Sequence, residues 1–241
     1  MADKRQAMGA LTGDTRGRST PWVRLKADGR RAVLRAAAAA FERHGLVVFP
    51  TETFYGLAVK ATDDEAIRRL VLLKAREATK PIPVIAASRA DVERIGPVPA
   101  ALEQVVRAFW PGPLTVAITP AGNWPEALLG SGRDIGVRVC GHTLARELAA
   151  LAGGVITATS ANLGGRPAAA RTDELDPELV RQVDLVIDAG PCQGGLPSTV
   201  VAVTASGALE VRRPGAVAAS ELARLVGYTP RLRTAGAGAR R

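Results

Sequence analysis

Leu46-Val47-Val48-Phe49-Pro50-Thr51-Glu52-Thr53-Phe54-Tyr55-Gly56 carries the pattern on which the fold turns. Four apolar, partly β-branched residues read as a buried strand, and Pro50 ends it. Upstream, residues 29–44 contain an alanine run and read as a helix stopped by Gly45. Downstream, Asp63-Asp64-Glu65 place acids in the first turn of a helix that runs through Lys74. Residues 82–86 read as a strand and residues 89–95 and 99–109 as helical. After the breaker cluster Trp110-Pro111-Gly112-Pro113 come a strand over 114–119, another over 135–139 and a helix over 143–151. Residues 155–159 form a strand running into Ser160-Ala161-Asn162; strands over 185–188, 199–203 and 209–212 and a short helix over 219–226 complete the order.

Such alternation predicts an α/β fold, a twisted sheet with flanking helices. Three late strands with little helix between them predict antiparallel additions, so the sheet is mixed parallel and antiparallel. Residues 21–230 read as one domain. Residues 1–20, polar and aperiodic, read as a disordered tail, and residues 231–241 as a basic disordered tail.

The formal net charge is +9, and its placement matters more than its size: the two tails carry eight Lys/Arg against two acids, leaving only +3 for residues 21–230. Solvated tails therefore account for most of the basic character, while a polyanionic partner such as RNA stays open. Cys140 and Cys192 form no C-x-x-C pair, which suits a reducing compartment and speaks against a disulfide framework. His44 and His142 are too far apart in sequence for a compact zinc motif, so no dedicated metal site is expected. No run of 18 apolar residues and no secretory leader is present, so the expectation is a cytoplasmic chain that does not cross a membrane.

Neither a Walker A motif nor a G-x-G-x-x-G fingerprint occurs. Polar clusters instead sit where apolar strands end, the usual location of ligands in open α/β sheets. Thr51-Glu52-Thr53-Phe54-Tyr55 packs two hydroxyls, a carboxylate and a phenol into five residues, although an ordinary turn would use the same types. Lys74, Arg76 and Lys80 suit either a helix C-terminus or a polyphosphate. Thr157-Ala158-Thr159-Ser160-Ala161-Asn162 offers small hydroxyls and an amide, and reads equally as a helix cap. Gly194-Gly195-Leu196-Pro197-Ser198-Thr199 and Arg212-Arg213-Pro214-Gly215 are weak signals singly.

Together and in this order, the segments resemble the YrdC-like family of threonylcarbamoyl-AMP synthases. The carriers are Phe49-Pro50-Thr51-Glu52-Thr53-Phe54-Tyr55-Gly56-Leu57, Lys74-x-Arg76, Phe109-Trp110-Pro111-Gly112-Pro113-Leu114-Thr115, Val137-Arg138-Val139, Thr159-Ser160-Ala161-Asn162, Pro197-Ser198-Thr199-Val200-Val201 and Arg213-Pro214-Gly215. The resemblance implies a twisted mixed sheet around a large concave, positive cavity. It also implies synthesis of threonylcarbamoyl-AMP and pyrophosphate from L-threonine, bicarbonate and ATP. Mg2+ would come with the ATP, and a separate threonylcarbamoyl transferase complex would pass the group to tRNA.

By matching position, the resemblance assigns Lys74, Arg76, Ser160 and Asn162 to the family's catalytic signature. It puts ATP on Lys74, Arg76, Thr115, Ser160, Asn162 and Arg213, and L-threonine on Thr51, Tyr55, Arg138 and Ser198. Two departures stand out. Many synthases carry Asn-Pro-Leu-Ile-Val-His after Lys-x-Arg; here the stretch is Lys80-Pro81-Ile82-Pro83-Val84-Ile85, with Ile85 in place of the histidine. Little chain follows Arg213-Pro214-Gly215, so the resemblance is to the short, single-domain type. The intact Lys74, Arg76, Ser160 and Asn162 set favours the enzyme. The rival reading is a non-catalytic paralogue that binds double-stranded RNA, tRNA or a nucleotide.

Overall fold

The protein is described here by a computed structural model covering residues 20–74 and 81–233. Its strands are β1 (Trp22–Arg24), β2 (Val47–Pro50), β3 (Tyr55–Ala58), β4 (Val84–Ala86), β5 (Leu114–Ile118), β6 (Ile135–Val139), β7 (Val155–Thr157), β8 (Thr159–Ser160), β9 (Leu185–Asp188), β10 (Thr199–Val203), β11 (Leu209–Arg213) and β12 (Arg231–Leu232). The helices are α1 (Leu25–Asp28), α2 (Arg30–Phe41), α3 (Asp64–Lys74), α4 (Arg89–Ile95), α5 (Glu103–Phe109), α6 (Thr143–Leu151), α7 (Pro177–Val180) and α8 (Ala219–Val226).

The strands divide into two hydrogen-bonded sheets rather than the single one expected. The first runs β1-β9-β2-β3-β8 and the second β12-β11-β10-β5-β6-β4-β7. Each mixes directions: β2 lies parallel to β9 and antiparallel to β3, while β5 lies parallel to β10 and antiparallel to β6. An isolated bridge between Lys60 and Ile156 joins the chain after β3 to β7. β1 and β3 had no signal in the sequence reading, because each is short and β3 lies within the polar cluster that reads as a turn. β12 begins inside the stretch expected to be tail; Glu210 and Val211 pair with Arg231 and Leu232.

The helices follow their apolar stripes. On α2 the buried residues are Val33, Ala37, Ala40 and Phe41, one face of a 3.6-residue period. That face joins Leu144, Ala145, Leu148 and Ala149 of α6 in an apolar cluster with Val47, Phe49, Ala58, Ile85 and Cys140. The α2 exit is set by Gly45, whose amide donates to Ala40 O at 2.8 Å; a Cβ there would lie 2.5 Å from that oxygen. On α3 the inward stripe is Ala66, Ile67, Leu70 and Lys74, so a lysine occupies a core-facing position at the helix end. The larger cluster, including Leu57, Leu70, Val84, Leu114, Val137, Val186 and Val201, packs across the rest of the domain.

Candidate active site

The turn between β2 and β3 is organised by Thr51. Its hydroxyl donates to Phe54 O at 2.7 Å and accepts from the Thr53 and Phe54 amides at 3.2 Å. A side-chain hydroxyl thus replaces water for two backbone donors, which fixes the turn. Tyr55, the first residue of β3, sends its ring into the core. Its hydroxyl donates to Gly190 O at 2.6 Å and accepts from Ala189 N at 3.2 Å, tying the turn to the loop after β9. Burial pushes the phenol pKa up to about 12, so it stays protonated.

The second group of residues comes from β5, the start of β10 and the end of β11. Thr115 Oγ1 and Ser198 Oγ lie 2.9 Å apart. Arg213 Nη2 donates to Ser198 O at 2.7 Å and to its Oγ at 3.1 Å. Close approach of these segments depends on Gly215, where a Cβ would fall 2.2 Å from Pro197 O and 2.6 Å from Thr199 N. The Arg213-Pro214-Gly215 motif is therefore a packing requirement as well as a source of charge.

A third group surrounds the strand end at Ser160. Lys74 Nζ donates to Ser160 O at 2.9 Å, Asn162 O at 2.5 Å and Asn162 Oδ1 at 2.7 Å. Ser160 Oγ donates to the same Asn162 Oδ1 at 2.6 Å. Lys74, a residue only 7% exposed, holds the Ser160-Ala161-Asn162 loop from behind with its ammonium.

Thr51, Tyr55, Thr115, Arg138, Ser160, Ser198 and Arg213, from separate stretches of sequence, all line one cavity of about 380 Å³. That volume lies within the ~300–1,000 Å³ of small-molecule sites. Among the described residues that line it, Arg138 and Arg213 are charged and none is a carboxylate, although Arg138 pairs with Glu52 outside the wall. Lys74 and Asn162 stand directly behind the Ser160 wall. Arg76 and Lys80 fall outside the described residues. The residues matched to ATP and to threonine are not separated in space: Arg213 and Thr115 both contact Ser198. Among the described residues, no group of three His, Cys, Asp or Glu side chains is placed to hold a metal ion.

Ile85 does not line the cavity. It pairs with Arg138 across β4 and β6 and is buried in the α2–α6 apolar cluster. Pro83, two residues earlier, lines the cavity instead, as do Thr53, Phe54 and Ala168. Thr53 and Phe54 belong to the polar turn quoted from the sequence, but no role was attached to them. Ala168 had no local signal; it arrives because Tyr55 N donates to Ala169 O at 2.8 Å, laying that loop over β3. Glu52, unassigned in the sequence, forms an ion pair with Arg138.

Comparison with known proteins gives the family and the fold. The family model for the Sua5, YciO and YrdC proteins, described as telomere recombination, matches residues 39–215. A threonylcarbamoyl-AMP synthase of Pyrococcus abyssi is 33% identical over 192 residues, covering 79% of this chain and 56% of that protein. One from Stenotrophomonas maltophilia is 36% identical over 163 residues, covering 66% of this chain and 87% of that protein. The crystal structure of P. abyssi Sua5 complexed with L-threonine superposes with a TM-score of 0.78 at 30% identity, over 89% of this chain and 62% of that one. The chain thus spans little more than half of the P. abyssi relative and most of the Stenotrophomonas one.

Proposed function

We propose that this chain, which belongs to the Sua5, YciO and YrdC family, makes threonylcarbamoyl-AMP and pyrophosphate from L-threonine, bicarbonate and ATP, for modification of tRNA. The observation that carries the reading is the convergence of Thr51, Tyr55, Thr115, Arg138, Ser160, Ser198 and Arg213 on one cavity whose wall, among the described residues, holds two arginines and no acid. The relatives named threonylcarbamoyl-AMP synthase and the threonine-bound Sua5 structure support it.

The chemistry needs two couplings. The threonine amine, unprotonated, attacks the carbon of CO2 and releases a proton, or attacks bicarbonate with loss of water, to give a carbamate. A carbamate oxygen then attacks the α-phosphorus of ATP and pyrophosphate leaves. Each step brings anions together, so preorganised cations and hydroxyls lower the barrier by neutralising charge and fixing orientation. Neither step needs a covalent nucleophile from the protein.

In this reading Arg138 takes the threonine carboxylate, and the Thr115–Ser198–Arg213 junction lies where the carbamate meets the nucleotide. Ser160 and Asn162 approach phosphate or ribose, with Lys74 polarising them from behind and Arg76 adding charge. Since Thr51 and Tyr55 use their hydroxyls on backbone groups, they shape the threonine pocket through position and ring surface. Mg2+ would be carried on the ATP phosphates with water as its other ligands. A separate transferase complex would deliver the product to tRNA.

The test is pyrophosphate release from ATP with threonine and bicarbonate each supplied or withheld, beside a Lys74→Ala, Ser160→Ala double variant. The reading expects release that requires both substrates and collapses in the variant. Release indifferent to threonine, or absent from folded protein that still binds ATP, would overturn it.

A further inference from the structure

Arg138 is 7% exposed, and a guanidinium so far from water needs an anion nearby. Among the described residues Glu52 supplies it: Glu52 Oε1 accepts from Arg138 Nη1. Its other oxygen, Oε2, accepts from the Cys140 thiol at 2.6 Å. Cys140 follows directly after β6, two residues beyond Arg138. Burial pushes the thiol pKa up to about 12, so sulfur keeps its proton and acts as the donor. The Glu52 stem runs beside Gly141, where a side-chain carbon would meet its Cβ and Cγ at 3.6 Å. Thr51 and Thr53, on either side of Glu52, line the cavity, whereas Glu52 does not. Arg138 therefore has the cavity on one side and a fixed carboxylate on the other.

We propose that Glu52 is the positioning residue for Arg138: anchored by Cys140, it holds the guanidinium against the cavity wall so that a carboxylate ligand finds its remaining N–H groups already aimed. This rests on the reading above that Arg138 receives the threonine carboxylate. Glu52 itself touches no substrate. Its removal lets the buried cation swing toward water or another acceptor, and the geometry for a bidentate carboxylate is lost.

The experiment measures threonine and ATP KM, kcat, and threonine binding by calorimetry for the full chain and for Glu52→Ala, Glu52→Gln, Cys140→Ala and Arg138→Ala. Glu52→Ala is expected to raise the threonine KM on the order of tenfold or more, with the ATP KM within about threefold. Glu52→Gln, which keeps an acceptor in place, recovers part of the loss, and Cys140→Ala gives a smaller rise. Adding Glu52→Ala to Arg138→Ala produces no further loss of threonine affinity, because the anchored group is gone. Equal losses for both substrates, an unchanged or tightened threonine KM, or additive losses in the double variant would overturn the proposal. If Glu52→Ala does not fold, Glu52→Gln and Cys140→Ala carry the same comparison. A wild-type protein without any threonine dependence would sink the functional reading; normal dependence with unaffected Glu52 variants would sink the positioning role alone.

Discussion

Replacing Gly215 by alanine adds one methyl group and tests how the cavity wall is built. A Cβ at this position would meet Pro197 O at 2.2 Å, and Ser198 C and Thr199 N at 2.6 Å. All three are backbone atoms, so no side chain can turn aside. Restoring ordinary contact at ~3.4 Å requires the segment around Gly215 to retreat by about 1 Å. That movement stretches the Ala216 N to Pro197 O hydrogen bond, now 2.8 Å, and the Arg213 to Ser198 O bond, now 2.7 Å. Overpacking costs ~1–3 kcal/mol and each of the two weakened hydrogen bonds ~1 kcal/mol, for a total of about 3–5 kcal/mol. The same displacement moves Arg213 and Ser198 in the cavity wall, and a shift of ~1 Å in a positioning group lowers turnover by up to about 100-fold. Urea unfolding followed by circular dichroism measures the first effect, and pyrophosphate release at saturating ATP the second. A Gly215→Ala protein within ~0.5 kcal/mol of wild type and with undiminished turnover would refute the argument that this glycine sets the wall.

Tyr55→Phe leaves Gly190 O and Ala189 N without their partner and should cost ~1–3 kcal/mol in urea unfolding. The raised phenol pKa fixes the sign of the pH dependence: the Tyr55 contribution is whole below the free value of 10 and falls as pH rises through about 12, so Tyr55→Phe should flatten the alkaline loss of stability and remove the absorbance step near 12 at 295 nm. Thr51→Ala unmakes the β2–β3 turn and should destabilise by ~1–2 kcal/mol, whereas Thr51→Ser, which keeps the hydroxyl, should unfold close to wild type. Lys74→Met keeps the apolar stem on the α3 stripe but removes the donor to Ser160 O and to both Asn162 oxygens. Turnover should fall on the order of 100-fold while the circular dichroism spectrum is retained; near-normal turnover would show that the ammonium is not needed behind the loop.

Much of this architecture was legible because period and punctuation agree in the sequence. The alanine run of α2, the acid-led start of α3 and the strand ends at Pro50 and Pro113 are local signals. The division into two sheets was not legible, since it depends on pairings such as Trp22 with Val186 that no local pattern encodes. Nor was β3, whose Tyr55 and Gly56 sit in a cluster dominated by turn-forming polar residues. In the candidate site, the motif order brought forward residues most of which meet at one cavity. What the motifs concealed is the division of labour within them. Thr51 and Tyr55 look like ligand groups but satisfy backbone partners, and Lys74 looks like a helix-end cation but lies on the buried stripe with Ile67 and Leu70. Glu52 passed without a role because its partner, Arg138, is 86 residues away and comes within reach only when β6 packs behind the turn.

The most direct test of the account is the identity of the product. The purified chain would be incubated with L-threonine, ATP, Mg2+ and 13C-labelled bicarbonate, quenched, and analysed by mass spectrometry. The account predicts an AMP adduct carrying both threonine and the labelled carbon, formed together with pyrophosphate and absent when either small substrate is left out. A threonine adenylate lacking the label, or ATP cleavage with no threonine-containing adduct, would contradict it.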